Sequence, residues 1–207
     1  MSDLIDLKKH NDKKDNREKA MTKMTKKYEL IDVGDDYDGN KKVYRIKALI
    51  DFGPVKKGDV GGFVESEENL SHQGNCWIYD DAYVIDQAKV YEDAIIATNA
   101  WVEDNAQVYG KAIVSGAATI YQHAKVFDEA RVYGEAKVYN SAQVFGNAII
   151  HGNARMKGTM KSSKPVTVID NSEVIITISD DKVHVYQSKV YNLDQLPTKY
   201  IYLKKLI

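Results

Sequence analysis

Residues 130–147 read Ala130-Arg131-Val132-Tyr133-Gly134-Glu135, Ala136-Lys137-Val138-Tyr139-Asn140-Ser141 and Ala142-Gln143-Val144-Phe145-Gly146-Asn147. Three times in succession the order is small, polar, branched, aromatic, then two turn-forming residues. The pattern continues outward: thirteen alanines stand six residues apart from Ala82 to Ala154, each followed two residues later by Val, Ile or, once, Met. Cys76 with Ile78 extends the series by one unit. An extended chain alternates its side chains between two faces, so the alanine and the branched residue of each unit share one face. Gly110, Gly116, Asp128, Gly134, Asn140, Gly146 and Gly152 take the first turn position, where left-handed backbone is least costly. A helix is excluded, because a period of six spreads Ala and Val around a cylinder of about 3.6 residues per turn. The period predicts an all-β chain built as a parallel β-solenoid.

Residues one coil apart stack, so matching columns reveal the length of a coil. Taken every eighteen residues, the position after the branched residue reads Tyr91, Tyr109, Phe127, Phe145, and the position before it reads Lys89, Gln107, Lys125, Gln143. Taken every twenty-four, the columns mix, as in Tyr91, Ser115, Tyr139. Three hexads per turn is the triangular coil associated with left-handed parallel β-helices. The expected fold is such a left-handed triangular β-helix of between four and five coils, roughly 22 Å tall at the usual strand spacing.

The flanks leave this register. Residues 1–27 are read as a flexible basic arm, 28–75 as an N-terminal cap module, 76–158 as the hexapeptide-repeat β-helix and 159–207 as a C-terminal strand-rich cap forming a small antiparallel sheet. Caps are expected because a terminal coil exposes unpaired strand edges. None of the three prolines lies in the repeats, and the single cysteine, Cys76, sits in an alanine slot, which points to a small buried core residue. No apolar run is long enough to span a bilayer and no signal-peptide core is present, so a cytoplasmic protein without membrane contact is expected.

The net charge of −1 hides an uneven distribution. Residues 1–28 carry 9 basic and 5 acidic side chains, residues 29–104 carry 7 and 17, and residues 105–207 carry 13 and 8. In the acidic stretch Asp80, Asp81, Asp86, Glu92, Asp93, Glu103 and Asp104 face only Lys89. A field of that sign repels nucleic acid and attracts a basic protein surface, so these seven carboxylates are candidate partner-binding residues, with solvated turn residues as the bland alternative. The aromatic column Tyr91, Tyr109, Phe127, Phe145 is the second candidate surface. Its alternative is stacking between coils.

Catalytic signatures are sparse. His123 and His151 are the only histidines in the repeats, both in outward or turn slots, and no loop interrupts the register between Cys76 and Gly158. Enzymes on triangular hexapeptide solenoids generally use a histidine base with an extruded loop. Its absence here predicts a surface role for both histidines and no catalytic residue. No histidine trio suits zinc. Gly61-Gly62 lacks the Gly-Lys-Ser/Thr continuation of a phosphate loop. The run Asp35-Asp36-Tyr37-Asp38-Gly39-Asn40 lacks the spaced carboxylates and closing Glu of a calcium loop. Neither a metal nor a cofactor is expected.

The stretches Tyr44–Gly53, Val55–Glu67, Asn69–His72 and Gly74-Asn75, followed by repeats such as Val132-Tyr133-Gly134-Glu135-Ala136-Lys137, resemble a phage and prophage hexapeptide-repeat β-solenoid family over residues 28–190. Members of that family are labelled hexapeptide transferases or polymer-forming proteins. The resemblance implies architecture and carries no catalytic motif onto this chain. Together these readings predict a non-enzymatic phage-type binding protein. Its expected partner is a protein, such as a nucleic-acid-handling defence protein of a host cell, and it is expected to be a homo-oligomer in the host cytoplasm. The alternatives are a self-assembling structural protein and an acyltransferase centred on His123 or His151.

Overall fold

A computed structural model describes residues 26–37, 41–170, 176–179, 182–185 and 189–192, with side chains over 26–34 and 41–157. The chain opens with strands β1 (Tyr28–Tyr37), β2 (Lys41–Ala48) and β3 (Val60–Val64), followed by a 3₁₀ turn at Glu67–Asn69. Two-residue strands follow every six residues: β4 (Trp77–Ile78), β5 (Tyr83–Val84), β6 (Lys89–Val90), β7 (Ile95–Ile96), β8 (Trp101–Val102), β9 (Gln107–Val108), β10 (Ile113–Val114), β11 (Thr119–Ile120), β12 (Lys125–Val126) and β13 (Arg131–Val132). The 16-residue strands β14 (Lys137–Gly152) and β15 (Arg155–Asp170) come next. Strands β16 (Ile176–Ser179), β17 (Lys182–Val185) and β18 (Lys189–Asn192) form a separate antiparallel sheet.

Pairing makes three parallel columns. Face 1 stacks β3, β5, β8, β11 and the start of β14. Face 2 stacks β6, β9, β12 and the middle of β14, and face 3 stacks β4, β7, β10, β13 and its end. Lys89 pairs with Gln107 and Lys125 with Gln143, so the coil is three hexads long, and the solenoid makes about five turns. The parallel stacking spreads to either side of the 76–158 span read from the hexads. It begins with Phe63 against Tyr83 and Leu70 against Val90, and it ends with β15 against β14 out to Asp170.

The core is the alanine and branched column of every hexad. Ala82 to Ala148 and Val84 to Ile150 are buried at each six-residue step, and Val90, Ala154 and Met156 are 1% exposed. Alanine fits because three sheets converge on a narrow axis, where a larger side chain would meet one from another face. Backbone polarity is satisfied between coils: Lys89 N–H donates to Ala106 O at 2.9 Å and Tyr91 N–H to Val108 O at 3.2 Å. Many hexads then turn with a bond inside the coil, such as Ala88 N–H to Ile85 O at 3.2 Å. Cys76 fills its alanine slot with no exposure.

The N-terminal edge of face 1 is covered by the antiparallel hairpin β1–β2, whose Tyr44 pairs with Val64. This is one of the ways a sheet protects its unpaired edge. On face 2, Asn69 Nδ2 donates to the carbonyls of Asp86 and Ala88, both at 3.0 Å, standing in for strand N–H groups. Gly61 and Gly62 serve close packing: a Cβ on them would lie 2.4 Å from Ile78 O and 2.5 Å from Ala82 O. Of the Asp35–Asn40 run, residues 38–40 lie outside the described residues.

Candidate functional site

From Gly74 to Gly152 every sixth residue, the first of its turn, has positive φ, including Asp86, Asp104, Gln122 and Asn140 at 57 to 59°. Non-glycine residues rarely adopt this conformation, and Asp and Asn adopt it most readily. Here the side chain does additional work. Asp86 Oδ2 accepts from Asp104 N–H at 3.3 Å, Asp104 Oδ2 from Gln122 N–H at 2.9 Å, and Gln122 Oε1 from Asn140 N–H at 2.6 Å. Glu65 Oε2 starts the series by accepting from Asp86 N–H at 2.7 Å. The corner between faces 1 and 2 is therefore a continuous polar ladder, in which each turn residue caps the turn one coil on.

The other two corners repeat such bonds, and together they account for much of the acidic stretch. Asp80 accepts from Thr98 N–H at 3.1 Å and Glu92 from Gly110 N–H at 2.9 Å. Asp93 Oδ1 accepts from Asn75 N–H and Nδ2 at 3.1 and 2.9 Å. Asp81 pairs with Arg45, and Asp86 also pairs with Lys41. Burial, with Asp104 and Asp86 adding to it, pushes the Glu103 carboxyl above its ordinary range. Of the seven candidate carboxylates, six hold a bond inside the fold. Their spacing of eighteen was visible in the sequence, but only the structure shows that the acceptor reaches the next N–H.

The candidate aromatic column is a stack. Tyr91 and Tyr109 lie 4.8 Å apart, Tyr109 and Phe127 4.9 Å, Phe127 and Phe145 4.6 Å, with planes within 8° of parallel. Ring faces meet ring faces, so the column turns ring edges outward. A second column, Phe63, Tyr83 and Trp101, stacks at 4.5 and 4.2 Å beneath Arg45, whose guanidinium lies 4.1 Å from the Phe63 centroid.

His151 stacks on Tyr133 at 4.9 Å, and burial lowers its pKa. His123 is placed differently. It follows Gln122 at the polar corner, its N–H donates to Asn140 O at 2.8 Å, and it lines an open cleft of about 600 Å³ with Gln122, Asn140, Ser141 and Lys157. The residues that border this concavity carry an imidazole, a hydroxyl, two amides and an ammonium. Ser141 lies eighteen residues after His123, one coil below it. Among the described residues no group of three His, Cys, Asp or Glu side chains could hold a metal ion.

Residues 106–122, which end in this cleft, match the family model described as the YdcK β-solenoid repeat. The chain is a hexapeptide-repeat β-solenoid. A protein of Escherichia coli strain K12 named Uncharacterized acetyltransferase YdcK is 46% identical to this solenoid over 46 residues. The match takes in 21% of this chain and 14% of that relative. The expectation of a non-enzymatic protein is corrected by this finding. It rested on the missing extruded loop, yet a solenoid that shares the repeat is named as an acetyltransferase. In this chain the corner between coils supplies a concavity without an insertion.

Proposed function

We propose that this solenoid transfers an acyl group from a thioester donor to a hydroxyl or amine acceptor, at the cleft around His123. The observation that carries the reading is the convergence of His123, Ser141, Asn140, Gln122 and Lys157 on one concavity. The name of the YdcK relative supports it. In this reading His123 is the general base that removes the acceptor's proton as it attacks the thioester carbonyl, a role worth about 10²–10⁴-fold in rate. The side-chain amides of Gln122 and Asn140 and the Ser141 hydroxyl are hydrogen-bond donors for the developing oxyanion. Lys157 offers positive charge to an anionic donor.

Thiol release from acetyl-coenzyme A, followed with a panel of amine and alcohol acceptors, tests the reading. His123→Gln is expected to lower kcat/KM by about 10²-fold or more while leaving the melting temperature unchanged, since the side chain is exposed. Equal turnover by both proteins would remove the cleft from the chemistry.

A second reading is favoured by the charge of residues 29–104, which carry 7 basic and 17 acidic side chains. Here the solenoid docks a basic macromolecular surface, as a phage-type inhibitor of a nucleic-acid-handling host protein would. Reversing Asp81, which pairs at the surface with Arg45, together with Asp93 would abolish capture of such a partner. Capture that survives the reversal counts against it.

A further inference from the structure

Lys27 is a buried amine just before β1, 1% exposed. Its Nζ donates to Cys76 O at 2.9 Å and Gly74 O at 3.4 Å, lies 3.3 Å from Cys76 Sγ, and sits 4.8 Å from the Phe52 ring centroid. Among the described residues no carboxylate lies within ion-pair distance of it. Around the sulfur the other polar neighbours are carbonyl oxygens, of Ser71 at 3.4 Å, Gln73 at 3.7 Å and Val90 at 3.8 Å. Among the described residues the amine is the one nucleophile in contact with the sulfur. Burial lowers the pKa of Lys27 and raises that of Cys76, which favours the neutral amine and thiol. A neutral amine keeps the lone pair that an ammonium lacks.

We infer that Lys27 and Cys76 form a modification site, at which a peroxide oxidant closes a covalent Nζ–Sγ bond and staples the start of β1 to the first coil. In the first step the sulfur takes an oxygen from hydrogen peroxide: the O–O bond breaks, the thiol becomes a sulfenic acid, and one water leaves. In the second the Lys27 nitrogen attacks that sulfur, the S–O bond breaks, and the departing hydroxide takes a proton from nitrogen as a second water. One peroxide is reduced, sulfur is oxidised by two electrons, and the protein loses two hydrogens. Condensation of a sulfenic acid with a nitrogen to give a sulfenamide is established cysteine chemistry. A buried thiol oxidises slowly, but an amine already in contact intercepts the sulfenic acid before further oxidation.

The test is peptide mass mapping of the full chain after hydrogen peroxide and a catalase quench, digested without reductant. The expected product is a Lys27–Cys76 cross-linked pair, about 2 Da lighter than the sum of its two peptides and released by dithiothreitol. The treated protein should melt roughly 5–10 °C higher than the untreated one. Cys76→Ala, which restores the small residue of the repeat, and Lys27→Arg should both fail to form the pair and show no such gain. Recovery of Cys76 as sulfinic or sulfonic acid with Lys27 unmodified, or as free thiol after full oxidation of a reference thiol, would overturn the assignment. The wild-type map alone decides between these outcomes, even where a variant folds poorly.

Discussion

Two corners of the prism make the same backbone turn with opposite side-chain solutions. Between faces 1 and 2 the turn residues are Asp86, Asp104, Gln122 and Asn140, and between faces 3 and 1 they run Asp80, Thr98, Gly116, Gly134 and Gly152. All have positive φ. At the polar corner, left-handed backbone costs each residue of order 1 kcal/mol or more, and the acceptor it gives to the next coil offsets that with about 1 kcal/mol. At Gly116, Gly134 and Gly152 the strain is absent and so is the acceptor, whereas Asp80 and Thr98 at the start of this corner keep a positive φ, with Asp80 accepting from Thr98 N–H. The two solutions come out close in stability, so a chain can choose either corner for reasons of function. Here the polar corner, rich in donors and acceptors, borders the cleft.

The largest expected effect comes from forcing a branched side chain into the glycine corner. A Cβ on Gly116 would lie 2.8 Å from both N and O of Gly134, and φ is +71°. Gly116→Val should cost about 3 kcal/mol or more in a denaturant titration, and a loss under 1 kcal/mol would break the claim that position 116, packed against the Gly134 backbone, needs glycine.

Next in size, Phe127→Ala removes the ring that touches both Tyr109 and Phe145. It should lower stability by about 2 kcal/mol. A neutral result would mean that the column serves contact with another molecule more than cohesion between coils.

A sharper test compares two substitutions at one site. Asp104→Ala keeps the positive φ of 58° and loses the bond from Gln122 N–H, and should cost about 2 kcal/mol. Asp104→Gly loses the same bond but relieves the strain, and should cost about half as much. The reverse order, with glycine worse than alanine, would contradict the account of the ladder.

The smallest effect concerns Glu103, whose carboxyl is raised chiefly by burial and then by Asp104 and Asp86. A raised pKa means that the folded state holds this proton more tightly than the unfolded chain, so folding loses stability as pH climbs through and above the ordinary glutamate range. Glu103→Gln should therefore raise the melting temperature slightly at neutral pH, and the gain should vanish below about pH 4, where the group is protonated in both states. A gain that persists at low pH would assign the effect to packing.

The coil, its three-hexad period and its alanine core were legible because stacking repeats one chemical demand every eighteen residues. The aromatic column was legible in composition, but its orientation was not: Tyr91, Tyr109, Phe127 and Phe145 read the same whether they offer faces or edges. The ladder was half visible, since Asp86, Asp104, Gln122 and Asn140 are all turn formers, and turn chemistry alone explains them. The contacts that fasten the N-terminal cap were hidden because they are unrepeated. Lys27 against Cys76, and Lys27 N–H to His72 Nδ1 at 3.2 Å, join residues 49 and 45 positions apart with no periodic partner to betray them. His123, with no extruded loop beside it, reads as a surface histidine, although the eighteen-residue spacing pairs it with Ser141.

Following backbone amide shifts in a nitrogen-15 spectrum while acetyl-coenzyme A is added tests the functional claim most directly. The account predicts saturable shifts at Gln122, His123, Asn140, Ser141 and Lys157, with Gly116, Gly134 and Gly152 at the glycine corner unmoved. Saturable shifts at the glycine corner alone, or none at millimolar donor, would contradict it.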